Sequence, residues 1–176
     1  ARPWRIGELD DGARAIARLL GGGLLPASVP SAADVRLDPG IARQNDGRVA
    51  VTALPPLARL DPGSLVALRA LTGRGDGELR LSPWRTLTLR DADGADGDAL
   101  AAALAAAGFV LSADSGWTGL SACAGMGACS QALLDVRAIA ATRAALRDGS
   151  SPTEHWAGCE RRCGQPRGVE ISVAGA

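Results

Sequence analysis

The chain has 176 residues and a mass of 17.8 kDa, room for one ordinary domain or two small ones. Its 19 basic residues, every one an arginine, balance 19 acidic residues, which excludes a polyelectrolyte field that would draw it onto nucleic acid. The longest apolar run, residues 100–111, falls short of the roughly 18 residues a bilayer span needs, so no membrane partner is expected. The opening Ala1, Arg2, Pro3 and Trp4 show no charged-then-apolar leader, and a cytoplasmic setting is expected. The chain lacks a starting methionine and is expected to be a piece of a longer one.

Residues 1–42 read as a lead-in. One helix is predicted over 10–20, capped by Asp10 and Asp11 and stopped by Gly21, Gly22 and Gly23; Pro26, Pro30 and Pro39 then mark linker composition. The glycine triplet resembles a phosphate loop only weakly, since it follows a helix and lacks a lysine. From residue 43 to 112 the pattern is regular. Residues 48–54 are rich in β-formers, and Asp61-Pro62 opens a helix to about Leu71 with an N-cap and a first-turn proline. A turn over 73–77 leads to alternating strands over 78–81 and 86–89. Asp98 caps an alanine-rich helix ending at Gly108, and residues 109–111 make a last short strand. The order β-α-β-β-α-β is the ferredoxin-like arrangement, so an α+β fold is predicted, with a second, α/β half-domain over 113–176. In that second half a long helix is predicted over 129–147, with Ala132, Leu133, Val136, Ile139 and Ala140 on its apolar stripe. Residues 169–173 are a final strand.

All four cysteines fall in this second half, in two glycine-bearing loops: Cys123-x5-Cys129 and Cys159-x3-Cys163. Their grouping points to one site. Two disulfides are disfavoured by a cytosolic setting. Structural zinc is a second reading, although zinc pairs usually stand two to four residues apart. A cubane [4Fe-4S] cluster takes four thiolates and suits the longer loop. Ala124, Gly125, Gly127 and Ala128 let backbone N–H groups approach cluster sulfurs. Cys129 is expected to open the long helix, whose positive end would favour an anionic ligand. Arg161 and Arg162 place positive charge beside it.

The run Ser121-Ala122-Cys123-Ala124-Gly125, continued to Cys129, together with Gly158-Cys159-x3-Cys163, resembles the signature of the nitrite and sulfite reductase superfamily. The resemblance extends over about residues 43–176 and implies a ferredoxin-like half-domain followed by a half-domain whose Cys123, Cys129, Cys159 and Cys163 hold a [4Fe-4S] cluster. Within the superfamily, Leu81-Ser82-Pro83-Trp84-Arg85-Thr86 and His155-Trp156-Ala157-Gly158-Cys159-Glu160-Arg161-Arg162-Cys163 are most similar to the precorrin-3B synthase family. The reductases usually show Cys-Pro-Asn-x-Cys where this chain has Cys159-Glu160-Arg161-Arg162-Cys163. The implied activity is oxygen-dependent hydroxylation of precorrin-3A in cobalamin biosynthesis. A sirohaem-dependent sulfite or nitrite reductase is the alternative, and a non-catalytic iron–sulfur or zinc module a second one. Sirohaem is the less favoured cofactor; were it present, the resemblance would make Cys163 its bridge to the cluster. These enzymes contain two repeats, and this chain matches the second. The implied partners are therefore a tetrapyrrole substrate, an electron donor and the missing N-terminal repeat.

Other residues carry a plain and a functional reading. His155, the only histidine, is a structural residue, or from four positions before Cys159 it delivers a proton or supports a cluster ligand from behind. Arg85, Arg161, Arg162 and Arg167 are solvated charges or clamps for the carboxylates of a precorrin. Trp84, Trp117 and Trp156 line a flat pocket or fill core, and Met126 is packing.

Overall fold

Val49, Val51 and Ala53 lie in β2 (Val49–Ala53), a central strand of a four-stranded antiparallel sheet in the computed structural model, which describes residues 9–22 and 37–175. The sheet order is β1 (Gly40–Arg43), β2, β4 (Leu87–Ala92), β3 (Arg80–Leu81). Helices α2 (Pro62–Thr72) and α3 (Gly97–Ala106) supply Leu68, Leu100 and Leu104 to the main core, which also holds Val49, Val51, Leu87, Leu89 and Phe109. Thr52 and Thr88, also buried, satisfy one another at 2.9 Å. The chain packs as two compact units, Ala1–Val35 and Arg36–Ala176. In the first, α1 (Gly12–Leu19) starts after a left-handed Asp11 whose side chain makes no cap bond, so the expected aspartate cap is not formed; Gly23 lies outside the described residues. No described helix is long and apolar enough to cross a membrane.

Asp61 caps α2 as expected, its carboxylate accepting from the Ser64 N–H at 2.9 Å and hydroxyl at 2.7 Å. These bonds hold its pKa below the ordinary 3.8. Asp61→Ala is expected to lower the urea midpoint without changing the slope, while Asp61→Asn, also a good cap, retains most of it. An unchanged midpoint in the alanine variant would remove the cap from the account.

Three elements of the first half differ from expectation. Residues 40–42, read as lead-in, begin β1, which forms a hairpin with β2 through the turn over 44–48. Residues 109–111 are reduced to one bridge, Val110 to Leu54, because β1 already pairs along that edge of β2. Asp98 sits inside the first turn of α3; the flanking cap is Asp96, without a side-chain cap bond.

The second half contains a three-stranded parallel sheet, β5 (Leu120–Ala122), β6 (Glu154–Ala157), β7 (Ile171–Ala174), with α4 (Val136–Ala144) between β5 and β6 in sequence. The predicted long helix over 129–147 is corrected to α4 alone. Asp135 caps it by accepting from the Ala138 N–H, and the preceding residues commit their N–H groups elsewhere: Leu133 to the Gly158 carbonyl and Met126 to that of Leu134. Cys129 therefore stands in a turn, and the expected helix-dipole support for its thiolate is absent.

The core here is small: Leu120, Ala140 and Ala144, with Trp117, Ala122 and Trp156 against them. An ionic network joins α4 to β6. Glu154, 1% exposed, accepts from Arg143 Nε (3.0 and 3.1 Å) and Nη2 (2.7 Å) and from Trp156 Nε1 (3.1 Å), with Arg147 Nε 3.9 Å away. Arg147 is buried, and its guanidinium donates to the carbonyls of Gly116, Ser151 and Pro152.

Candidate functional site

The two cysteine loops leave the C-terminal ends of neighbouring parallel strands. Register pairs Ala122 with Trp156, so Cys123 follows β5 directly and Cys159 comes two residues after β6. Open parallel sheets bind ligands at this end. Three hydrogen bonds join the loops: Cys123 N–H to the Trp156 carbonyl (3.0 Å), Leu133 N–H to the Gly158 carbonyl (2.8 Å), and Gly158 N–H to Cys123 Sγ (3.2 Å). The last is the type of backbone-to-sulfur bond that tunes an iron–sulfur cluster. Gly125 has φ +72° and a Cβ there would come within 2.9 Å of Val136, so the loop passes α4 at a distance only glycine permits. At Gly158 a Cβ would meet that of Ala132 at 2.8 Å.

All four cysteines are free thiols, Cys123, Cys129 and Cys159 half-buried and Cys163 exposed. Among the described residues no three His, Cys, Asp or Glu side chains are close enough to hold a single metal ion. A cubane spreads its thiolates around a larger body. Four free thiols on two hydrogen-bonded loops, with a glycine N–H already on one sulfur, fit such a cluster.

The strand alternation sorts the other side chains. Glu154 and Trp156 take the face toward α4, while Ser121, His155 and Ser172, aligned by register, form a row on the opposite face. His155, read from sequence as part of the cysteine loop, belongs to β6 and is 0% exposed. Its Nδ1 lies 2.9 Å from Ser121 Oγ, and its Nε2 is buried without a hydrogen-bond partner. Burial foremost, then the Arg85 charge, hold its pKa below 6.5; the Cys163 backbone carbonyl pulls upward, and Arg162 lowers it further.

Arg85 (φ +67°) donates from Nη2 to the Gly164 carbonyl at 3.1 Å, tying the β3–β4 turn to the second cysteine loop. Arg162 (φ +49°) donates from Nη1 to Ser172 Oγ at 2.6 Å, and Ser172 donates on to Gln165. Arg161 and Arg167 are exposed on the same loop. Trp84, 45% exposed, lines a cleft of about 40 Å³ with Leu54, Thr86 and Thr118, too small for a tetrapyrrole. Trp117 and Trp156 pack against the small core, and Met126 is exposed rather than packed. Sequence reasoning did not single out Ser121, Arg137 or the Glu154 network. Ser121 stands two residues before Cys123, on the face of His155. Arg137, in the first turn of α4, packs near Gly125 with its Nε buried and unpartnered.

Residues 42–107 match the family model of the nitrite/sulfite reductase ferredoxin-like half domain. Among solved structures the chain is similar to the NirA protein of Mycobacterium tuberculosis, with a TM-score of 0.63 and 23% identity over 84% of this chain. It is also similar to dissimilatory sulfite reductase I (DsrI), with a TM-score of 0.50 and 15% identity over 66% of this chain. The chain spans about 30% of the length of each. At these identities the likeness is one of fold alone, a mixed α and β architecture. No curated protein matches the chain.

Proposed function

We propose that the chain is the cluster-bearing part of an oxidoreductase that acts on a tetrapyrrole, hydroxylating precorrin-3A to precorrin-3B with dioxygen. The observation that carries this reading is a set of arginines at the second cysteine loop, with Arg161, Arg162 and Arg167 on the loop and Arg85 hydrogen-bonded to it from the β3–β4 turn. Arg85 and Arg162 both hold left-handed backbone, which costs about 1–3 kcal/mol at a non-glycine residue and collects at functional sites. Arg161 and Arg167 extend the same positive edge into solvent. A rim of acetate and propionate groups suits such forks, each of which accepts a carboxylate in bidentate fashion.

Cys123, Cys129, Cys159 and Cys163 would hold a [4Fe-4S] cluster, which supplies single electrons. The chain's own groups orient the substrate carboxylates, and Arg85 links that surface to the ferredoxin-like half. An electron donor and a first repeat of the same enzyme complete the assembly. The second reading is a sirohaem-dependent sulfite or nitrite reductase, favoured by the half-domain match and by the likeness to DsrI.

The intact enzyme separates the two. Arg161→Ala is expected to weaken precorrin binding about ten- to a hundredfold, the loss of one charged hydrogen-bonding group, with iron and sulfide content unchanged. Stoichiometric sirohaem with sulfite turnover would overturn the hydroxylase reading and leave the cluster site standing.

A further inference from the structure

Three of the four cysteines are fixed by the backbone around them. The Cys123 N–H donates to the Trp156 carbonyl at 3.0 Å, the Cys129 N–H donates to the Gly125 carbonyl at 3.0 Å, and the Cys159 carbonyl accepts the Arg162 N–H at 3.2 Å. Cys163 makes no backbone–backbone hydrogen bond among the described residues, and it is the exposed member of the set. Residues 161–165 are all exposed, so apolar burial does not hold this stretch either. Its place depends on side chains. On one side Arg162 donates to Ser172 Oγ, which donates on to Gln165. On the other, half-buried Arg85 crosses from the ferredoxin-like half and donates to the carbonyl of Gly164, the residue directly after Cys163.

The turn that presents Arg85 is tightly closed. The Ser82 N–H donates to the Thr86 carbonyl and the Ser82 carbonyl accepts the Arg85 N–H, both at 3.0 Å, while the two hydroxyls of Ser82 and Thr86 meet at 2.7 Å. Arg85 holds φ +67° there, a left-handed backbone unfavourable for any side chain. A charged donor on a peptide carbonyl is a strong kind of hydrogen bond, and this one joins residues 79 positions apart.

We propose that Arg85 is a positioning residue for the cluster: by pinning the Gly164 carbonyl it keeps Cys163 on its iron, and the corner held by Cys163 is the first to open when this tether is cut. The proposal rests on the iron–sulfur reading above and gives Arg85 a task at the cofactor rather than at a substrate carboxylate. One-electron oxidation of a [4Fe-4S]²⁺ cluster by ferricyanide yields [3Fe-4S]⁺ and one Fe²⁺. The cysteine thiolate that held that iron is thereby released.

The anaerobically reconstituted full chain is treated with ferricyanide, and conversion is read from the EPR signal of the three-iron cluster and from Fe²⁺ captured by a chelator. Arg85→Ala is expected to convert about tenfold faster than wild type, the lower end of what one charge-assisted hydrogen bond contributes. Arg85→Lys, whose ammonium is a donor of similar reach, should restore most of the wild-type rate. Arg85→Met, with comparable bulk and no donor, should not; a role in packing alone predicts the reverse. In wild type, iodoacetamide should alkylate Cys163 ahead of the other three, and only after oxidation, as read by peptide mass spectrometry. Wild-type chain that takes up no iron and sulfide would refute the cluster reading itself. A loaded Arg85→Ala variant that converts at the wild-type rate, or release of a cysteine other than Cys163, would overturn the inference alone. Should neither the alanine nor the methionine variant load, the site of alkylation in wild type decides.

Discussion

Glu154→Ala is expected to destabilise the protein by about 3–5 kcal/mol, the usual cost of removing one partner of a buried ion pair. The carboxylate is 1% exposed and is the counter-ion of both Arg143 and the buried Arg147. Removing it leaves a guanidinium uncompensated beside a core of three small or medium side chains. Out of a typical 5–15 kcal/mol that is a large fraction of the total. Replacing Glu154 and Arg147 together by apolar residues should recover much of the loss, since the penalty lies in the orphaned charge. Hydrogen bonds from Arg143 first, opposed by burial and supported by Trp156 and the nearby charges, hold the Glu154 pKa below 4.5. A carboxyl depressed in the folded state contributes stability that is fully present above 4.5 and is lost as pH falls through its lower folded value. Glu154→Gln should therefore show a shallower decline in that acid range. Urea midpoints measured against pH check both statements, and a loss under about 1 kcal/mol in Glu154→Ala would contradict them.

Replacing any one of Cys123, Cys129, Cys159 or Cys163 by serine is expected to remove most of the iron and sulfide that the anaerobic chain takes up. A cubane with three thiolates and a poor hydroxyl ligand is far less tightly held. The four should differ in the metal-free protein. Cys123 Sγ accepts the Gly158 N–H between the two loops, so its replacement perturbs a packed junction and lowers stability by about 1 kcal/mol. Cys163 is exposed and its replacement should leave the metal-free fold unchanged. Iron, sulfide and thermal melts on the four variants test this. A variant with iron, sulfide and potential all unaltered would show that its cysteine is not a ligand.

Much of the first half-domain was legible because its signals are local. Asp61-Pro62 announced α2, a run of β-formers announced β2, and alternation announced β4. The hairpin to β1 was also written in the Asp46-Gly47 turn, but the proline-rich stretch before it masked the strand. The last strand failed for a tertiary reason, since β1 occupies the edge residues 109–111 would have taken. In the second half, β5 and β6 are only three and four residues long and sit against the cysteine loops, where glycine and cysteine content reads as turn. The run Gln131-Ala132-Leu133-Leu134 after Cys129 carries helical propensity, yet its backbone is committed to the neighbouring loop, and tertiary bonds override the local preference. The cysteine spacing was readable without any structure. The Ser121–His155 pair was not, because residues 34 positions apart meet only once two parallel strands are in register.

The most direct test of the account is the composition of the chain purified without oxygen. Iron, acid-labile sulfide and zinc are measured per chain, alongside the visible spectrum. A cubane predicts about four iron and four sulfide per chain and a broad visible absorption without sharp haem bands. Stoichiometric zinc with no sulfide would contradict it.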